Sequence, residues 1–285
     1  MAEIELSAGA IEYEDTGGEG APVVLLHGLV MNGSLWRNVV PKLSTDSRCI
    51  VPTLPLGGHR RPMSPDADLS MSGQAALVAE FMERLDLRDV TLVMNDWGGA
   101  LLYASGNGND RIGRLVLASC EAFDNVPPGL PGHVAWLAGK VPGGVNAALQ
   151  PLRLRPLRRL PIALGWMAKR PIPDQVTDDW LRPALSNRAI RRDLAKYAGS
   201  ATEARPHLQA ATERLREFDR PALVVWAAED RVMPREHGQR LAELLPQGEL
   251  VEVPDSYTLI PEDQPDLLAA HIRGFVAGHD ALQAA

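Results

Sequence analysis

Asp96 stands in Val93-Met94-Asn95-Asp96-Trp97-Gly98-Gly99-Ala100, between an apolar run and a pair of glycines. The pattern predicts a buried strand, a tight turn with the carboxylate at its apex, and the start of a helix. On such a turn the side chain projects into a pocket, and the glycines let helix and strand approach closely. The N–H groups and dipole of a helix N-terminus stabilise an anion there. A carboxylate so held is equipped for nucleophilic attack or proton transfer, although the same residue can also serve merely as a helix cap. Two further carboxylates end apolar runs: Glu121 in Ser119-Cys120-Glu121-Ala122, and Asp230 after Leu223-Val-Val-Trp-Ala-Ala-Glu. Gathered in one semi-apolar pocket, such groups raise one another's pKa, so that one of them holds a proton near neutral pH. No metal site is expected. The only cysteines, Cys49 and Cys120, lie in apolar strand-like runs, and neither Cys-x-x-Cys nor His-x-x-x-His spacing occurs.

The elements that must position these groups alternate in type. Residues 4–16 predict an edge hairpin. Residues 22–28, 48–53, 90–94 and 114–119 predict strands buried on both faces. Between them lie predicted helices, one capped by Ser34 and running to 43, one capped by Ser72 and running to 85, and one over 97–105. Residues 123–218 are rich in Pro, Arg and Leu and contain no good strand; helices are expected there, among them 174–185 and 189–197. The basic run 151–160 suggests a membrane or nucleic-acid patch, but a solvated helix face is the expectation. Strands 221–227 and 249–253 and helices 235–245 and 265–278 then resume the alternation, with a frayed tail at 281–285. Alternating strands and helices make a parallel sheet covered on both faces. A helical insertion after the sixth strand sits over the carboxyl ends of the strands, where such sheets bind ligands.

The order His27-Gly28, Asp96-Trp97-Gly98-Gly99, Glu121, Asp230 resembles the α/β-hydrolase fold, and within it the haloalkane dehalogenase and epoxide hydrolase branch. Most α/β hydrolases carry Gly-x-Ser-x-Gly at the elbow; this branch carries aspartate, in the form Asp-Trp-Gly-Gly. The resemblance covers residues 22–121 and 221–276. It implies an α/β-hydrolase fold, with a mostly parallel eight-stranded sheet, helices on both faces, a core of residues 1–122 and 219–285, and a helical cap of residues 123–218. It also implies roles. Asp96 attacks an alkyl carbon to form an ester. The Trp97 indole N–H holds a leaving halide. The backbone N–H groups of Leu29 and Trp97 form an oxyanion hole, and His27 is structural. Asp230 and Glu121 occupy the two acid positions used by different members. Tyr197 is the one cap tyrosine available to a substrate oxygen.

The departures matter as much. In Val253-Pro254-Asp255-Ser256-Tyr257-Thr258-Leu259-Ile260-Pro261-Glu262-Asp263-Gln264-Pro265 the family's Gly-His becomes Tyr257-Thr258, while the flanks still align. Thr258 is expected in the histidine's place, directed toward Asp96, and its hydroxyl is no useful base. Leu29 stands where dehalogenases place a halide-binding asparagine, and Val30 where many epoxide hydrolases have proline. His59, in Leu56-Gly57-Gly58-His59-Arg60-Arg61-Pro62, is the substitute base or substrate contact to examine; His133 and His207 have less claim, and His237, His271 and His279 look like surface residues.

The expected function is therefore an enzyme acting through Asp96 on a small to medium apolar substrate. One route is hydrolysis with an atypical base. The alternatives are non-hydrolytic acid/base catalysis (epoxide opening, cyclisation, isomerisation) or a non-catalytic ligand-binding protein. No cofactor is expected. A net charge of −7 argues against a nucleic-acid partner. The absence of a long apolar run and of a signal-like N-terminus argues against a membrane partner and for a cytoplasmic location. Oligomeric state is left open.

Overall fold

The structure is a computed structural model describing residues 1–106 and 108–283. Its strands are β1 (Ala2–Leu6), β2 (Gly9–Asp15), β3 (Pro22–Leu26), β4 (Arg48–Pro52), β5 (Val90–Asp96), β6 (Ile112–Cys120), β7 (Ala222–Ala227) and β8 (Gly248–Val253). They form one eight-stranded sheet in the order β1-β2-β4-β3-β5-β6-β7-β8. The pairs β1–β2 and β2–β4 are antiparallel, and every other pair is parallel. This is the α/β-hydrolase fold that the sequence implies. β5 is buried along its whole length, as are β7 and most of β6, which explains why these strands read as unbroken apolar runs. The chain leaves β3 for β4 on one side and later returns to β5 on the other. Strand order reverses there, opening a crevice at the strands' carboxyl ends.

Helices α1 (Val40–Leu43), α2 (Met71–Arg84) and α3 (Ala100–Ala104) follow the early strands. Between β6 and β7 the described residues hold only helices: α4 (Gly129–Lys140), α5 (Gly144–Leu149), α6 (Asp174–Ser186), α7 (Arg188–Gly199), α8 (Ala201–Arg214) and short 3-10 turns. α9 (Arg235–Leu244), α10 (Ile260–Asp263) and α11 (Pro265–Gln283) complete the chain. Helix α11 thus covers part of the expected frayed tail; Ala284 and Ala285 lie outside the described residues.

Three local expectations change. The helix expected over residues 34–43 is two pieces, a 3-10 turn capped by Asn32 and the short α1. Pro41 lies in the first turn of α1, and a proline cannot extend a helix back through the preceding turn. Ser70, not Ser72, caps α2, accepting from the Gly73 N–H at 3.3 Å, because the first turn buries Met71. The basic run 151–160 is exposed over most of its length but is neither one helix nor wholly solvated. Pro151 and Pro156 divide it into two 3-10 turns. Arg158 is buried, donating to Thr177 Oγ1 at 2.8 Å and pairing with Asp178 at 2.6 Å.

Candidate active site

β5 delivers Asp96 to the crevice and the chain then reverses sharply. Asp96 has φ +66°, a conformation that costs a non-glycine residue energy and persists only where the surroundings enforce it. The enforcement is visible. The Trp97 N–H closes a three-residue turn on the Asn95 carbonyl at 2.8 Å, and the Glu121 N–H bonds the Asp96 carbonyl at 3.0 Å. The carboxylate is met from the loop after β3, where the Leu29 N–H donates to Asp96 Oδ2 at 3.2 Å. Glycine at 28 permits this approach, since a Cβ there would lie 1.9 Å from that oxygen. The expected pair of convergent N–H groups is therefore reduced to one. Leu29 points at Asp96, while the Trp97 N–H is consumed by the turn.

Glu121 follows the end of β6, with Oε2 accepting from the Gly98 N–H at 3.2 Å. It and Asp96 face the same cavity of about 340 Å³. The other polar lining groups are the Tyr197 hydroxyl and the indoles of Trp97 and Trp136; the remaining wall, contributed largely by the helical insertion, is apolar. Among the described residues neither indole N–H has a partner of full hydrogen-bond geometry, although that of Trp97 lies close enough to the Tyr197 phenol to oppose the rise in its pKa. Trp136 carried no signal in the sequence, because α4 is a nearly continuous apolar stretch in which no position stands out.

Burial pushes the Asp96 carboxyl up to about 7, with the Asp230 charge adding to it and the Leu29 N–H opposing. Burial likewise pushes Glu121 up to about 8, reinforced by the charge of Asp96 and opposed by the Gly98 N–H. The two interact, so the pair titrates jointly and holds roughly one proton near neutrality. The Tyr197 phenol is raised well above its ordinary value, first by burial and then by Glu121 and Asp96.

The two remaining members of the expected constellation are not among the residues that line the cavity. Thr258 is fully buried and donates to Asp230 Oδ1 at 2.7 Å. The same oxygen accepts the N–H groups of Val232 at 2.9 Å and Met233 at 2.8 Å. The Thr258 carbonyl is pinned to β5 by Asn95 Nδ2 at 2.8 Å. Neither Asp230 nor Thr258 lines the cavity. The Thr258 hydroxyl is thus directed at Asp230, not at Asp96 as expected, and Asp230 Oδ2 is left buried without a hydrogen-bond partner among the described residues.

His59 is also apart from the cavity. It is buried, with Nδ1 accepting from the Gly57 N–H at 3.2 Å and Nε2 3.3 Å from Asp193 Oδ2. It therefore ties the loop after β4 to α7 and is not placed as a substitute base. His27 is buried between the Gly28 carbonyl and the Leu54 N–H, and burial lowers its pKa to about 4; it stays neutral and holds the loop beside Leu29. His237, expected at the surface, is instead buried edge-on against Phe123.

The profile of the family described as alpha/beta hydrolase fold matches residues 21–265. The chain is similar to cis-3-alkyl-4-alkyloxetan-2-one decarboxylase of Xanthomonas campestris pv. campestris, with 27% identity over 284 residues, covering 94% of this chain and 92% of that one. It is as similar to haloalkane dehalogenase 2 of Mycobacterium tuberculosis H37Rv, with 27% identity over 278 residues and coverage of 93% and 91%. The solved haloalkane dehalogenase of Bradyrhizobium elkani USDA94 superposes with a TM-score of 0.79 at 19% identity, over 99% of this chain and 98% of that one.

Proposed function

Because the chain belongs to the alpha/beta hydrolase fold family, we propose that it is an enzyme acting through Asp96 on a small to medium apolar substrate, and that its turnover consumes no water. In this reading residues 123–218 are the cap over a core of residues 1–122 and 219–285. The observation that carries it is the division of the polar groups. Two carboxyls face an otherwise apolar cavity, while Thr258 lies outside it, bonded to Asp230. An ester on Asp96 has no base to activate water against it, and such a base is typically worth ~10²–10⁴ in rate.

A substrate that carries its own means of release fits this site. The decarboxylase relative is named for one: a four-membered lactone bearing two alkyl chains. Ionised Asp96 attacks ring carbon C4, an ester bond forms, and the ring C4–O bond breaks. The freed carboxylate remains attached at C3. It then leaves as carbon dioxide. The electron pair of its bond to C3 forms the C3=C4 double bond, and the C4–O bond to Asp96 breaks to return the carboxylate. Lactone becomes alkene and carbon dioxide with no net proton, electron or water. Glu121, holding the shared proton, hydrogen-bonds the carboxylate as it is released and keeps the proton.

The indole N–H groups of Trp97 and Trp136, neither in a full hydrogen bond among the described residues, favour a second reading, haloalkane hydrolysis, since they suit a departing halide. One experiment separates the two. Incubation with a cis-3,4-dialkyl β-lactone is expected to yield alkene, seen by gas chromatography, with the protein mass unchanged. Incubation with a 1-bromoalkane is expected to leave a persistent adduct, mapped to Asp96 by peptide mass spectrometry and absent from Asp96→Asn. Conversion of the lactone to hydroxy acid, or repeated turnover of the bromoalkane, would refute the water-free reading.

A further inference from the structure

We infer that the helical insertion carries a docking surface for an anionic lipid bilayer, placed so that the cavity mouth opens against the membrane. Such a surface delivers substrate to the cavity whichever reaction follows.

Three observations converge. The first is where exposed apolar side chains lie. Leu130, Leu137, Val141, Leu154, Leu160 and Ile162 are all large and exposed, and they fall within one stretch of 33 residues, 130–162. α4 is mostly apolar, yet none of its residues is buried. One side of it lines the cavity through Val134, Ala135 and Trp136, while Leu130 and Leu137 are left to solvent. Exposed apolar groups gathered in one region mark an interaction surface, whereas scattered ones do not.

Charge is the second. Between Asp124 and Asp174 the sequence contains seven lysines and arginines and no aspartate or glutamate. The chain as a whole has net charge −7, and five of these seven cations, Lys140, Arg155, Arg158, Lys169 and Arg170, are ion-paired with carboxylates outside the stretch, which leaves two to carry the charge of the surface. Arg153 and Arg159 are exposed and have no salt bridge among the described residues. Basic groups interleaved with exposed Leu and Ile fit an anionic headgroup layer over an acyl boundary. A second copy of this chain fits less well, because two such surfaces meeting face to face repel.

The third is continuity with the cavity. Leu160 and Ile162 are exposed and also line it, so they form part of its rim. No helix among the described residues is long and apolar enough to cross a membrane; the contact is peripheral. An apolar substrate dissolved in the bilayer could then enter an apolar cavity without crossing water, which its hydrophobic transfer energy opposes.

The test uses the full chain, floated on a density gradient with vesicles of phosphatidylcholine alone or with an equal amount of phosphatidylglycerol. Binding is expected only to the anionic vesicles, and is expected to weaken as salt is raised. Arg153→Glu with Arg159→Glu should weaken binding about thirtyfold or more, at about fivefold per cation removed. Leu137→Glu with Leu154→Glu should abolish flotation; neither leucine lines the cavity, and unchanged thermal melting verifies the fold of both variants. Equal binding to neutral vesicles, no binding at all, or folded variants that float like the parent would overturn the inference. So would a stable dimer by light scattering that the leucine variant dissociates, which would assign the surface to a second copy.

Discussion

Asp96 and Glu121 share a cavity that offers them no cation, and their chemistry follows from that. Attack by Asp96 requires its ionised form, so the rate of ester formation with a bromoalkane should rise as pH passes about 7. Glu121 still holds its proton, and so carries no charge, while Asp96 ionises, so Glu121→Gln should leave the rising limb in place, read by intact-mass kinetics across pH. A limb that moves to lower pH would mean that Glu121 is already charged when Asp96 titrates. Lactone decarboxylation has a second requirement, the proton on Glu121, and should decline above about pH 8. Thr258 supplies the converse experiment. It already bonds Asp230 at 2.7 Å, so an imidazole introduced by Thr258→His would find its acid partner waiting. Discharge of a preformed Asp96 ester should accelerate by ~10²–10⁴, at an overpacking cost of about 1–3 kcal/mol at this fully buried position. Mass spectrometry of the adduct over time decides it; an equally long-lived ester in a folded Thr258→His protein would show that absence of a base is not what limits hydrolysis.

At the scale of elements, the site depends on a glycine just after β3 where β5 ends in aspartate. Gly28→Ala places a Cβ within 1.9 Å of Asp96 Oδ2 and 2.6 Å of its Cβ, so the carboxylate must move. Misplacement of about 1 Å can cost on the order of 10² in rate, and ester formation in Gly28→Ala should fall by at least that much while the protein still melts cooperatively. Unchanged kinetics would mean that Asp96 is not held where it reacts. These strand ends were legible in the sequence because burial on both faces leaves an unbroken apolar run and because a tight turn leaves its glycines. The insertion after the sixth strand was legible too, as the place where the alternation stops. What escaped was whatever tertiary packing decides. Ser70 and Ser72 are equally good caps until Met71 is buried, and the arginine run 151–160 looks solvated until Arg158 finds Asp178. Thr258 was singled out along the chain by its flanks, yet its hydroxyl direction depends on Asp230, 28 residues earlier. Trp136 could not be singled out in a helix that is mostly apolar.

For the whole molecule, two buried carboxyls with raised pKa values set a direction for stability. Unfolded, both release their protons near pH 4; folded, they retain them to about 7 and 8. Between these limits the native state binds more protons, so the stability they contribute is fully present below about pH 4 and is lost as pH rises through 8. A tenfold difference in proton affinity between the folded and unfolded states is worth about 1.4 kcal/mol, so the decline should amount to several kcal/mol. Melting temperature measured from pH 5 to 8.5 should fall in the parent, and the fall should be flatter in Asp96→Asn with Glu121→Gln. A parent curve as flat as that of the variant would contradict the buried-carboxyl account. The pairing of β6 with β7 has a different kind of consequence. Leu115 lies beside Ala222, with the whole helical insertion between them, and closing a loop of about a hundred residues costs about 4 kcal/mol in chain entropy beyond a constant. During synthesis β6 is therefore a bare sheet edge until the last quarter of the chain emerges. The nascent protein carries β5 and the Asp96 turn long before the β7–Asp230 and Thr258 segments that complete it, and in that interval its open edge invites pairing with other chains.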